Sequence, residues 1–322
     1  MDSTAGGFLL VLAIVLPVAA VLLSLALGGR AAERVTIALM PAGLALALAI
    51  AVSVWRARRP LQYVIGGWSP PLGVALRADG LSAAMVVATA VLVCGIGLFA
   101  RGQFSAPRGA EARAPFVFWT LLPAVWGALN AVFLGADLFN LYVALELLTF
   151  AAVPLVSLDG RAETLAAALR YLIFALFGSI LYLLGAALIY GAYGTLDIAL
   201  LSSRVHAGPA AVAALALMTA GLLAKTALYP LHLWLPPAHA GAPAAASAVL
   251  SGLVVKAPFF LIIRLWFDAM PALPDRAAGQ LLGILAAAAI LFGSVLALRQ
   301  ARLKLLVLPQ FEISAGVTPR LR

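Results

Sequence analysis

The sequence predicts an all-α, polytopic transmembrane helix bundle of about nine helices, with one helix broken near residues 225–237. Three observations carry this. Of the 322 residues 65% are hydrophobic and only 10% charged, with a mean hydropathy of +1.10, so there are too few charges to coat a water-soluble globule. The apolar residues are gathered into runs of about 20 or more, the length an α-helix needs to cross the hydrocarbon core. The charges fall mostly in the short turns between those runs, such as Arg30 and Arg34, or Arg56, Arg58 and Arg59.

Taken in chain order, the qualifying runs are residues 7–28, 34–54, 79–100, 114–135, 138–157, 165–192, 209–229, 243–267 and 277–298. The first, from Phe8 to Leu27, is too long for a signal-peptide core and has no basic segment before it, so it is expected to be a retained helix. Residues 56–78, with Pro60, Gly66, Gly67, Pro70 and Pro71 around the β-prone Tyr63-Val64-Ile65, are expected to form an extramembrane hairpin. After Arg299 the apolar stretch from Leu305 to Val317 is interrupted by Pro309 and Glu312, too short and too polar to span. Three parts are expected: 1–113, N-terminal helices and hairpin; 114–268, the central helices; 269–322, a last helix and a tail.

Orientation follows the distribution of Lys and Arg between the two sides, with Lys225 and Lys256 left out and Arg264 counted as a loop charge on the side of the N-terminus. Twelve fall on the side opposite the N-terminus and seven on its own side, which favours an external N-terminus, with the 56–78 loop dissenting. The net charge of +9 forms no basic stripe interleaved with aromatics, so nucleic acid is not an expected partner. Cys94 is the single cysteine and lies in an apolar run, which leaves no disulfide framework and no iron–sulfur ligand set. No cofactor and no metal are expected, and no phosphate loop or catalytic triad is present.

Three charges break the pattern. Glu146, Lys225 and Lys256 each sit inside an apolar, helix-length run. An ionised side chain at mid-bilayer costs roughly 2.5–3.5 kcal/mol on insertion scales, so intramembrane charges are read first as parts of an ion or proton path. Lys225 precedes Pro230, Pro236 and Pro237; Pro230 leaves the Thr226 carbonyl without a helical donor, so the helix is expected to break just after Lys225. Such a break is tolerated at membrane depth only where protein or water satisfies the backbone. The alternative is a plain proline kink with a snorkelling lysine. Lys256 precedes Pro258, which frees the Val254 carbonyl, while Ser251 and Gly252 one turn earlier are expected to allow a close helix approach. Glu146 is the only acid deep in such a run, hence the expected counter-charge, and Tyr142 shares its helical face. A static ion pair that fixes packing is the alternative for this set. Asp137 and Asn140 sit where a helix cap is expected. His232 and His239 flank the broken region and are candidate proton relays, or structural donors; His206 is expected at the surface.

The stretches Asp137-Leu138-Phe139-Asn140-Leu141-Tyr142 through Glu146, Tyr190-Gly191-Ala192-Tyr193-Gly194-Thr195-Leu196-Asp197, Lys225-Thr226-Ala227-Leu228-Tyr229-Pro230-Leu231-His232 through His239, and Leu250-Ser251-Gly252-Leu253-Val254-Val255-Lys256 resemble one family. It comprises the antiporter-like membrane subunits of complex I (NADH:quinone oxidoreductase) and of Mrp-type sodium/proton antiporters. The resemblance runs over about residues 115–300 and implies a fold of two inverted repeats. It also implies that Glu146 and Lys225 form a coupled pair and that Lys256 passes protons to a central polar axis. Pro237 stands where the family commonly has an acid. Against that family the chain is expected to be truncated, ending after the first repeat and one helix of the second; the resemblance thus implies that 114–268 is a proton-path repeat and 269–322 the start of an incomplete second repeat and a tail.

The expected function is therefore that of a membrane subunit of an ion-translocating complex. It would move protons, with or without sodium coupling, through Glu146, Lys225 and Lys256 in the bacterial cell (inner) membrane, with other membrane subunits as partners. The rival expectation is a truncated, non-conducting structural subunit. With no redox site in the chain, any enzymatic activity would belong to the larger complex.

Overall fold

The computed structural model describes residues 3–104, 113–273 and 276–298. Two long helices open the chain, α1 (Phe8–Leu27) and α2 (Gly29–Ala57), followed by an antiparallel hairpin of β1 (Leu61–Val64) and β2 (Ala75–Ala78). Then come α3 (Gly80–Gln103), α4 (Arg113–Leu134), α5 (Leu138–Val156), α6 (Ala162–Tyr193), the short α7 (Ile198–Arg204) and α8 (Pro209–Thr226). The chain continues with α9 (Leu235–Gly241), α10 (Ala244–Val249), α11 (Lys256–Ile263) and α12 (Arg276–Leu298). The fold is an all-α polytopic bundle.

Among the described residues eight helical segments are long and apolar enough to cross a membrane, the eighth being the composite Ala244–Ala269. The ninth expected segment, 277–298, is helical as α12. The expected non-spanning tail, with Pro309 and Glu312, lies outside the described residues.

The centre of the bundle is α4, whose Phe118, Leu122, Val125, Leu129 and Val132 are all fully buried between α1, α2, α3 and α5. Small residues set the closest approach elsewhere. Gly178 of α6 and Gly221 of α8 face each other so closely that a Cβ on either would run into the other's backbone, and α6 packs more extensively on α8 than on any other helix. The expected approach at Gly252 does not occur: a Cβ there would meet only Leu92, at 3.8 Å.

Three helices are started by acids. Asp79 accepts from the Ser82 amide (2.9 Å) to cap α3, and Asp137 accepts from Phe139 and Asn140 (2.9 and 3.0 Å) to cap α5. Asp197 caps α7 through Leu200 (2.9 Å). The expected capping by Asp137 is thus observed, with the Asn140 amide as one of its donors. Short bridges tie these starts together, Leu76 to Gly135 and Asp137 to Asp197, with Leu138 donating to the Leu196 carbonyl (2.9 Å). They fix the level at which α5 begins, and so the depth of everything on it.

Candidate functional site: a buried ion pair beside a broken helix

Glu146 is eight residues into α5, about 12 Å along its axis at 1.5 Å per residue. Lys225 comes in the last turn of α8, where the free carbonyl ends of a helix favour a cation. The Gly178–Gly221 crossing brings the two levels together. Lys225 is one turn beyond Gly221, and Ser179 adjoins Gly178. The Lys225 Nζ donates to Glu146 Oε1 (2.9 Å) and to Thr149 Oγ1 (3.1 Å), and the Ser179 hydroxyl donates to the same carboxylate oxygen. The side chains of Lys225 and Glu146 are 5% and 14% exposed, so the pair is shielded from solvent on nearly every side.

The break after Lys225 is where the prolines place it. Helix α8 stops at Thr226, Ala227 turns left-handed at φ 57°, and Tyr229–Pro230 is cis. The carbonyls released by the break find other donors. Ala224 accepts from its own turn and from the Trp234 indole (2.9 Å), and Leu223 accepts from the Leu228 amide (3.1 Å). Trp234 is fully buried and stacks flat on Tyr171 of α6 at 4.2 Å between ring centroids.

Lys256 lies at the first residue of α11, between two wide π-helical turns, Leu250–Val254 and Arg264–Ala269. A π turn inserts one extra residue and often marks a functional position. Pro258 accounts for the first of them, since it cannot donate to the Val254 carbonyl. Lys256 is half-buried and has no ion pair or hydrogen bond among the described residues. A cavity of about 10 Å³ beside Lys225 is lined by Thr149 and Tyr171 and also by Val254 and Pro258 of the segment that bears Lys256; Lys256 itself does not line it.

The structure therefore brings Glu146 and Lys225 into direct contact, beside a small cavity that the segment bearing Lys256 also lines. The two histidines sit in the chain after the break. His232 is buried and stacks on Tyr229 (5.8 Å between centroids), while His239 is buried in α9, its carbonyl accepting from Ser247 Oγ (3.1 Å). Neither lines the cavity. His206 is exposed, as expected.

Sequence reasoning missed Thr149 and Ser179, the two hydroxyls in the pair, and a second cluster at the hairpin end of the bundle. There Arg264, counted from sequence as a loop charge, is 13% exposed and clamps Asp79 with both guanidinium nitrogens (2.5 and 2.6 Å), Asp268 (2.5 Å) and Ser82 (2.9 Å). It closes one wall of a cavity of about 290 Å³ shared with Arg77 and Asp197. Burial pushes the Asp79 carboxyl up, but the bonds from Arg264 and the Ser82 amide outweigh this and hold it below its ordinary value of 3.8. The available signal was position: Asp79 and Arg264 both occur where an apolar run meets its turn.

With this geometry in place, comparison with known proteins is decisive. Residues 135–308, more than half of the chain, match the family "NADH:quinone oxidoreductase/Mrp antiporter, TM". The chain belongs to that family. As a member of this transmembrane family it is an integral membrane protein. Among curated relatives it is 36% identical over 260 residues to NADH-quinone oxidoreductase subunit N of Desulforudis audaxviator, covering 79% of this chain and 50% of that protein. It is 30% identical over 259 residues to a Na(+)/H(+) antiporter subunit of Bacillus subtilis, covering 79% and 51%. The chain thus spans about half the length of these relatives. A solved structure, that of the membrane-bound sulfane sulfur reductase, an archaeal respiratory membrane complex, contains a chain that superposes with a TM-score of 0.86 at 26% identity, over 95% of this chain and 63% of that one.

Proposed function

We propose that this antiporter-family chain is a membrane subunit of an ion-translocating complex and moves protons through Glu146, Lys225 and Lys256. The observation that carries the reading is the shielded Lys225–Glu146 pair, seated in the last turn of a broken helix and one cavity away from the segment that bears Lys256. With Glu146 ionised beside it, Lys225 holds its proton. When the pair opens, an ammonium with so little access to water is a poor resting state, and the proton passes towards Lys256. The cavity beside Lys225, about 10 Å³, is of the size that holds a single bridging water with polar partners. His232 and His239, buried in the same post-break segment, are proposed relays on this route.

The path is proposed to belong to residues 114–268. The named relatives support membership of a larger assembly: a quinone oxidoreductase subunit, an antiporter subunit and a chain of a respiratory membrane complex. Other membrane subunits are accordingly the proposed partners, protons the cargo with or without sodium, and the bacterial cell (inner) membrane the location.

Glu146→Gln and Lys225→Ala test this in the assembled complex. Assayed in inverted membrane vesicles with a pH-sensitive dye, each is expected to abolish the pH gradient while the amount of inserted chain stays the same. Transport at the parent rate by either variant overturns the coupled-pair mechanism.

A further inference from the structure

Lys225 has two acceptors of different kinds. Glu146 Oε1, at 2.9 Å, carries charge and can lose it on protonation; Thr149 Oγ1, at 3.1 Å, is neutral at every working pH. Both are delivered by α5, three residues apart and hence on one face of the helix. The Thr149 hydroxyl hydrogen is already committed to the Leu145 carbonyl one turn back, at 2.9 Å. What remains towards Lys225 is lone pairs, so Thr149 acts there as an acceptor only.

The two acceptors also differ in what lies behind them. Ser179 holds the Glu146 side, donating to the same Oε1 that Lys225 uses. Thr149 lies on the other side, lining with Lys225 the small cavity whose far wall is Val254 and Pro258. Neither Glu146 nor Ser179 lines that cavity, and the only charged side chain that does is Lys225. An ammonium leaving Glu146 therefore has one polar side chain of its present pair to stay on, and that side chain faces the Lys256 segment.

Resting on the proton-path reading above, we propose that Thr149 is a positioning residue for transfer: the neutral seat on which the Lys225 ammonium remains when its bond to Glu146 opens, on the cavity that Val254 and Pro258 of the Lys256-bearing segment also line. Without it, breaking the ion pair would leave Tyr171 as the one other polar side chain lining the cavity, with no acceptor at Lys225's present bonding distance, and the opened state would be too rare to support turnover.

The seat and a mere packing role predict opposite orders for two conservative variants. Thr149→Val keeps the shape and loses the acceptor; Thr149→Ser keeps the acceptor and loses a methyl group. Measured in the complete complex, in inverted vesicles with a pH-sensitive dye and normalised to inserted chain, Thr149→Val is expected to fall about tenfold or more, the scale of one hydrogen bond to a charged group. Thr149→Ser is expected to stay near the parent rate. Should Thr149→Val insert poorly, Thr149→Ala against Thr149→Ser at equal inserted amounts makes the same comparison. Valine active with serine impaired, or both at the parent rate, overturns the seat. Lys225→Ala run alongside separates the two levels: if it is inactive while Thr149→Val is normal, the seat alone fails, whereas parent-rate transport by Lys225→Ala removes the proton path and the seat with it.

Discussion

Adding one methyl group at Gly221 is expected to disable the ion pair from a full helical turn away. A Cβ there would run into the backbone carbonyl of Gly178 and press on the Tyr182 amide nitrogen at 3.0 Å and the Leu181 Cβ at 3.2 Å. Two of these three obstacles are backbone atoms, which cannot swing aside as a side chain end can, so α6 and α8 must separate. Overpacking of this sort costs about 1–3 kcal/mol, and contact with backbone puts it at the upper end; replacing Gly by Ala in a helix returns about 1 kcal/mol of propensity. The net loss is then about 2 kcal/mol. Gly252→Ala is the matched control, since its nearest new neighbour is Leu92 at an ordinary 3.8 Å, and it is expected to be neutral or slightly stabilising. Separation of the helices also draws Lys225 from Ser179 and Glu146, and a displacement of about 1 Å at a reacting group can cost on the order of a hundredfold in rate. Thermal unfolding in detergent and vesicle transport should both fall for Gly221→Ala and neither for Gly252→Ala. Equal melting temperatures and rates for Gly221→Ala and the parent would refute the close crossing as the device that aligns the pair.

Asp79→Asn probes the clamp at the hairpin end. Because the Asp79 carboxyl is held below 3.8 in the folded chain, its contribution is present above that value and is lost as pH falls through the depressed one; the parent should lose thermal stability on acidification below about pH 4, and the asparagine variant should show a shallower loss there. Trp234→Phe should keep the stack on Tyr171 but leave the Ala224 carbonyl with only the Ala227 amide as donor, lowering stability by about 0.5–1.5 kcal/mol, the net contribution of one hydrogen bond. Chemical denaturation monitored by circular dichroism checks it, and an unchanged midpoint would show that the indole N–H does not secure the end of α8.

What could be read from sequence was whatever violates membrane economy. Glu146, Lys225 and Lys256 stood out because charge is rare in apolar runs, and Pro230 and Pro258 because each removes a donor at a countable position; the break after Thr226 and the wide turn before Lys256 are those two prolines made visible. The hairpin was legible for the same reason, its glycines and prolines bounding two short β-prone pieces. Helix contacts were not. Gly252 and Gly221 are equivalent as letters, each four residues before a lysine, yet Gly221 sits on a helix crossing and Gly252 does not. Thr149 and Ser179 were hidden in the same way: a hydroxyl in an apolar helix most often bonds to the carbonyl four residues back, as both of these do, and only the crossing angle of a neighbouring helix reveals a second partner.

The pair itself argues for a moving part rather than a fixed one. A buried salt bridge adds little to stability, and apolar side chains of similar volume usually pack at least as well, because desolvating two charges consumes most of their attraction. Here the surroundings go beyond neutralisation. Two hydroxyls, from α5 and α6, are added to one ammonium and one carboxylate, and both hydroxyls keep a backbone carbonyl within reach as an alternative acceptor or anchor. The backbone beside the pair is likewise loosened where a static strut would be regular, by the stop of α8 at Thr226 and by the π turn before Lys256. A fixed bridge needs none of these alternatives. A lysine that must leave its carboxylate, remain solvated by protein and return uses each of them, and one of the two hydroxyls, that of Thr149, belongs to a side chain lining with Lys225 the cavity that Val254 and Pro258 also line.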